Sequence, residues 1–102
     1  MAREYVVAYS PYDRKRHSLF TERGRIVRFV VQYETYVNGR WRPVVRYDNF
    51  YTHAHRDSYG KSGKRLEHRK PIPCASLKEA LDYAHDDLDR NWKRYREVFE
   101  RS

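Results

Sequence analysis

Cysteine is almost missing from this chain, which holds only Cys74. One thiol can form neither an internal disulfide nor a multi-cysteine zinc site, so both kinds of staple are excluded. Cys74 follows Pro71, Ile72 and Pro73 beside a helix start; a small buried filler residue is expected there, with an acidified thiol as the alternative. Large aliphatic residues are also scarce. Leu, Ile, Val and Phe make up about a fifth of the 102 residues, close to the level below which a highly charged chain stays disordered. No apolar run approaches the ~20 residues a transmembrane helix needs, and residues 1–10 hold no signal-peptide hydrophobic segment. A cytoplasmic protein without membrane contact is therefore expected.

Ten tyrosines and two tryptophans make up the aliphatic deficit. An aromatic core with polar tips explains them most simply, because a sheet-to-helix interface buries tyrosine rings readily. The net charge is +8, and it is unevenly spread. Residues 1–76 carry 16 Lys or Arg against 7 Asp or Glu, whereas residues 77–102 carry 6 against 7. The basic character belongs to the first three quarters of the chain. RNA, another polyanion or an acidic protein is the natural partner for such a surface, and ordinary solubility charge is the competing explanation.

Residues 25–57 organise the rest. Two β-rich runs flank Val37, Asn38 and Gly39, and the turn chemistry decides how they pair. A two-residue Asn38-Gly39 loop alone would mix apolar and charged side chains on each face. A three-residue loop with Gly39 left-handed instead sets Phe29 against Tyr47, Val31 against Val45, Tyr33 against Pro43 and Thr35 against Trp41. The other face then pairs Arg28 with Asp48 and Glu34 with Arg42, and this register is the expected one.

Residues 3–9 read as a strand, whereas residues 10–24 show no clean period. Arg14, Lys15, Arg16 and His17 stand in a row there, a basic loop suited to phosphates or a plain solvated charge run. Beyond the hairpin, residues 52–59 resume an extended pattern. Residues 64–70 read as a polar edge strand anchored by Leu66. Ser76 through Glu79 forms a capping box, and Leu77, Ala80, Leu81, Ala84, Leu88, Trp92, Tyr95 and Phe99 follow at helical spacing. A helix that long spans about 36 Å at ~1.5 Å per residue, so its last turns are expected to overhang and to offer a route to homo-oligomers. No internal repeat is visible. The expected architecture is α+β: one domain over residues 1–102, an antiparallel sheet of four or five strands, and one long C-terminal helix packed on one face.

The chemistry gathers at a strand corner. Arg46, Asp48, Tyr51, His53, His55 and Asp57 supply the groups that metal-independent phosphodiester cleavage requires. A histidine takes the 2′-hydroxyl proton, a second group protonates the leaving oxygen, and an arginine neutralises the phosphorane. His55 is the candidate base, Asp48 or Asp57 its orienting carboxylate, and Arg46 the phosphate clamp. His53 and His55, with Asp57 or Asp48 third, could also ligate a metal. That pattern is weakly specific in a chain with five histidines, and no metal or cofactor is expected. His17 and His68 read as surface residues, and His85 as a boundary residue beside Asp89.

Val45-Arg46-Tyr47-Asp48-Asn49 followed by histidines resembles the Arg-aromatic-Asp-Asn motif of the TumE-like toxins of prokaryotic toxin–antitoxin modules. The chain has Tyr51 where those toxins place a histidine soon after the Asp-Asn pair. The fuller pattern, from Phe29 through Asp57 to Ser76-Leu77 and Trp92, resembles a small uncharacterised family of bacterial and archaeal domains. The first resemblance implies an RNA target, an antitoxin partner and roles for Arg46, Asp48, Asn49 and His55 in a toxin-like endoribonuclease. The alternatives are a non-catalytic nucleic-acid-binding module, using Arg28, Arg40, Arg42 and Arg46 on the sheet with Arg14, Lys15 and Arg16 beside it, and an interaction or oligomerisation domain.

Overall fold

The computed structural model describes residues 2–50 and 53–102. Six antiparallel strands run in simple meander order: β1 (Ala2–Ser10), β2 (Asp13–Glu22), β3 (Arg25–Val37), β4 (Arg40–Asp48), β5 (His55–Tyr59) and β6 (Arg65–Pro71). One helix, α1 (Leu77–Arg101), follows and packs on β3 and β4. The α+β architecture is as expected, but the sheet has six strands rather than four or five.

The extra strand is β2, which replaces the expected basic loop. Its alternation is invisible to hydropathy because three of its inward side chains, Asp13, Lys15 and His17, are polar. Asp13 and Lys15 are 0% and 6% exposed, and each is buried by pairing with the helix. Lys15 Nζ lies 2.7 Å from Asp89, and Asp13 lies 3.1 Å from Arg96.

The β3–β4 hairpin corrects the expected register. Val37 pairs with Arg40 around a two-residue Asn38-Gly39 turn. Both turn residues have positive φ, 53° and 80°, the backbone of a type I′ turn. The extra residue is absorbed inside the strand instead. Glu34 pairs with Pro43 and Tyr33 with Val45, leaving Val44 as a bulge. Pro43 has no N–H to give to a ladder, so a bulge beside it costs little pairing. Beyond the bulge Val31 faces Tyr47 and Tyr33 faces Val45, so the apolar face forms with shifted partners. The expected Arg28–Asp48 and Glu34–Arg42 pairs do not form; Glu34 lies opposite Arg14 of β2 instead.

The core lies between sheet and helix. Phe29, Val31, Tyr33, Val45 and Tyr47 meet Ala80, Leu81, Ala84, Leu88 and Phe99, all buried. Tyrosine tips reach acids on the boundary of this core. Tyr47 and Tyr95 donate to Asp87, Tyr33 donates to Asp13, and Tyr9 donates to Asp89. These are the polar ends that buried phenols require.

Ser76 caps α1 by accepting from the Glu79 amide at 3.1 Å. The Glu79 carboxylate accepts from the Ala75 amide, one residue earlier than a strict capping box. The far end does not overhang. Phe99 is 1% exposed, and Ser102 Oγ accepts from the Lys61 amide, which seats the last turn on the β5–β6 loop. Cys74 is exposed rather than a buried filler. His17 is half-buried and stacks on Tyr5, with ring centroids 4.6 Å apart, rather than standing free on the surface.

Candidate functional site

Among the described residues no helix covers the second face of the sheet. Side chains directly opposite on paired strands share a face, so the register fixes what that face presents. Arg16, Gln32, Arg46 and Asp57 form one row across it, and Ser18, Val30, Asp48 and His55 form the next.

Asp48, His55 and Asp57 sit at the centre, between 2% and 5% exposed. Asp48 ends β4. Its Oδ1 accepts from the Phe50 amide at 2.9 Å and its Oδ2 accepts from Arg46 Nε at 2.8 Å. Asn49 extends the ladder with its side chain, accepting from the Phe29 amide and donating to the Val27 carbonyl. The Arg46-Tyr47-Asp48-Asn49 sequence therefore has a structural role as a strand terminator. Asp57 Oδ1 accepts from the Arg69 amide at 2.7 Å.

His55 lies over both carboxylates. Its Nδ1 is 2.9 Å from the His53 carbonyl. A carbonyl only accepts, so Nδ1 carries the proton. Nε2 points at Asp48 Oδ1, 3.1 Å away, with Asp57 Oδ2 at 3.9 Å. Arg46, Phe50, Tyr59, Arg65 and Arg69 wall a cavity of about 250 Å³ with these three residues at its base.

The structure thus brings together Arg46, Asp48, His55 and Asp57 of the expected catalytic set. His53 contributes its backbone carbonyl, and its exposed ring lies 6.4 Å from that of His55. Tyr51 falls outside the described residues. The expected nucleic-acid-binding residues divide between the two faces. Arg14, Arg16 and Arg28 lie on the open face with Arg46, since Arg14 and Arg16 pair with Glu34 and Arg28 stands over Phe50. Lys15 turns beneath the helix. Arg42 and Arg40 alternate with Trp41 and lie on the helix side, where Arg42 donates to the Lys61 carbonyl.

Sequence reasoning missed Arg65 and Arg69, because an edge strand of alternating charge gives no sign of which bases face a distant corner. It also missed the aromatic shelf. Arg14 lies 4.1 Å over Trp41, Arg28 and Arg46 lie 5.2 and 5.7 Å from the Phe50 ring centroid, and Arg65 lies 6.0 Å over Tyr59. Basic residues over aromatic planes would have been the signal, had the faces been known.

Fold and site define a class: an α+β meander with a single helix, whose open face carries arginines over aromatics around a buried Asp-His-Asp cluster. The chain belongs to the DUF7718 family, a domain of unknown function that matches residues 1–102. No curated protein and no solved structure matches it. No helix among the described residues is long and apolar enough to cross a membrane.

Proposed function

We propose that the open face binds single-stranded RNA through its phosphates and bases. The observation that carries this reading is a layering of charge. Glu34 is 5% exposed in its side chain, whereas Arg14 and Arg16 above it are 24% and 42% exposed. Asp48 is likewise 5% exposed under Arg46 at 32%. The carboxylates lie beneath and the guanidinium groups lie outside, so the surface offered to a ligand is cationic although the pairs are formally balanced. Planar guanidinium groups match phosphate oxygens two at a time. The aromatic rings beneath them add stacking surfaces for unpaired bases.

We place binding ahead of endoribonuclease chemistry on geometric grounds. A general base must reach the 2′-hydroxyl within hydrogen-bond distance. The His55 side chain is 3% exposed and its Nε2 already faces Asp48.

The test is fluorescence anisotropy of a labelled single-stranded RNA across a salt series, with the RNA run on a gel afterwards. Binding that weakens steeply with salt, with intact RNA, supports this reading. Arg16→Glu and Arg28→Glu should each weaken it about tenfold and flatten the salt slope, while Arg90→Glu on the helix should not. Absence of binding at low salt, or equal effects of all three reversals, would refute it. Cleavage lost in Arg46→Ala and His55→Ala would favour the nuclease reading instead.

A further inference from the structure

We propose that Asp48, His55 and Asp57 form a binding site for one divalent transition-metal ion such as Zn²⁺ or Mn²⁺, with a fourth coordination position opening into the arginine-walled cavity. This site does not depend on the RNA reading. One potential ligand atom from each residue lies within 4.8 Å of the other two, and all three residues are buried. Nε2 to Asp48 Oδ1 is 3.1 Å and Nε2 to Asp57 Oδ2 is 3.9 Å. Ligands about 2.0–2.2 Å from a tetrahedral zinc stand roughly 3.3 Å apart, so His55 and Asp48 already have that spacing and Asp57 must swing inwards to close on an ion.

The proton positions point the same way. His55 Nδ1 spends its proton on the His53 carbonyl, the orientation by which a backbone carbonyl commonly fixes a metal-ligating imidazole. In the neutral ring Nε2 is then a lone pair, and it is aimed at two carboxylates. Lone pair against carboxylate is repulsive unless a cation stands between them. That cation is either a second ring proton or a metal.

The carboxylates are oriented from behind as well. Arg46 and the Phe50 amide hold Asp48, and the Arg69 amide holds Asp57 Oδ1, leaving Oδ2 turned towards the ring. Two carboxylates and an imidazole suit Zn²⁺ or Mn²⁺ better than a soft ion. Arg46, Arg65 and Arg69 border the cavity, so the fourth position suits a hydroxide or another oxyanion. The sequence-based pairing of His53 with His55 gives way here to Asp48 with His55. The expectation of a metal-free site is the one this proposal replaces.

The test titrates metal-stripped protein with Zn²⁺, and separately Mn²⁺, against a chromogenic chelator, and follows the melting temperature in parallel. One equivalent should bind with micromolar affinity or tighter and should raise the melting temperature. His68→Ala should leave binding unchanged. His55→Gln and Asp57→Asn should each weaken it about tenfold or more; Asp57→Asn keeps an oxygen for the Arg69 amide, so it tests the site even if His55→Gln does not fold. Co²⁺ should give the visible bands of a tetrahedral centre in the parent and lose them in Asp57→Asn. No binding of either ion at millimolar concentration, or binding that Asp57→Asn leaves unchanged, would overturn the site.

Discussion

Lys15 reaches out of the sheet to Asp89 on the helix, and its ammonium lies 2.7 Å from the carboxylate although only 7% of the lysine side chain is exposed. Tyr9 donates to the same oxygen at 2.6 Å. The pair joins the second strand to a helix some seventy residues later, so it helps fix how the two layers meet. Removing the acid strands a buried charge, whereas replacing the lysine with an apolar chain of similar length removes the need for a partner. Asp89→Ala should therefore cost about 1–3 kcal/mol, and Lys15→Met distinctly less. Urea unfolding of both variants checks the order.

The same cluster sets a pH dependence. Burial pulls the His85 imidazole down to about 4, helped by the charges of Lys15 and His17 and opposed by Asp89 and Asp82. His17 is lowered too, by burial and then Lys15. Both rings are neutral in the fold, while the unfolded chain takes up protons below about 6.5. Stability should therefore be full above pH 6.5 and fall as the pH drops from there towards 4, by at most about 1.4 kcal/mol per pH unit from His85, with His17 adding in the same direction. Solvent screening of these half-buried groups makes the real slope shallower. The carboxylates that the fold holds low, Asp13, Asp89 and Glu67, lose their contribution only at more acidic pH, as they protonate. Urea midpoints at pH 7.5 and pH 5 should differ in the parent and differ less in His85→Gln.

What could be read from residue order was the periodic part. The helix, its Ser76 cap and the apolar parity of Phe29, Val31 and Tyr33 with Val45 and Tyr47 all follow from spacing. The second strand did not, because Asp13 and Lys15 bury by pairing with the helix rather than by being apolar. The hairpin misled for a related reason. Parity required one extra residue, and spacing alone could not say whether Gly39 or Val44 would absorb it. Pro43 was the available sign, since it disfavours regular pairing at that point.

Arg56 also ties the sheet to the helix's second half, through Tyr95. It forms a fork on Glu67, with bonds of 2.8 and 3.0 Å, and its third nitrogen donates to the Tyr47 and Tyr95 hydroxyls. Burial, with Asp87 beside it, pushes the Tyr95 phenol up to about 12. A lysine has one ammonium and no fork, so it cannot serve both partners. Arg56→Lys should cost about 2 kcal/mol, which for a domain of this size lowers the melting temperature by roughly 10 °C. A calorimetric scan at neutral pH reads it directly.

The Asp48 corner was legible in composition and not in arrangement. That Arg46, Asp48, His55 and Asp57 share a face follows from strand alternation on both sides of the turn. That His55 turns its Nδ1 to the His53 carbonyl depends on the turn's backbone path, which spacing does not encode. Arg65 and Arg69 arrive from an edge strand, and only the completed meander brings them alongside.

Glu34 shows how far the layered charge depends on what lies beneath it. Its carboxylate accepts from Arg14 Nε at 2.7 Å and from Gln32 Nε2 at 2.6 Å, and Arg16 approaches to 3.0 Å. Glu34→Gln keeps the shape and removes the charge. The two guanidinium groups are partly exposed, so they can turn to water, and the loss should be about 1–3 kcal/mol rather than the 3–5 kcal/mol of a sealed pair. The released guanidinium groups should then repel one another. Stability of Glu34→Gln should recover as salt is raised, because screening weakens repulsion between exposed charges, whereas the parent should change little. A urea series at low and high salt separates the two, and a deficit independent of salt would mean that the carboxylate acts through packing alone.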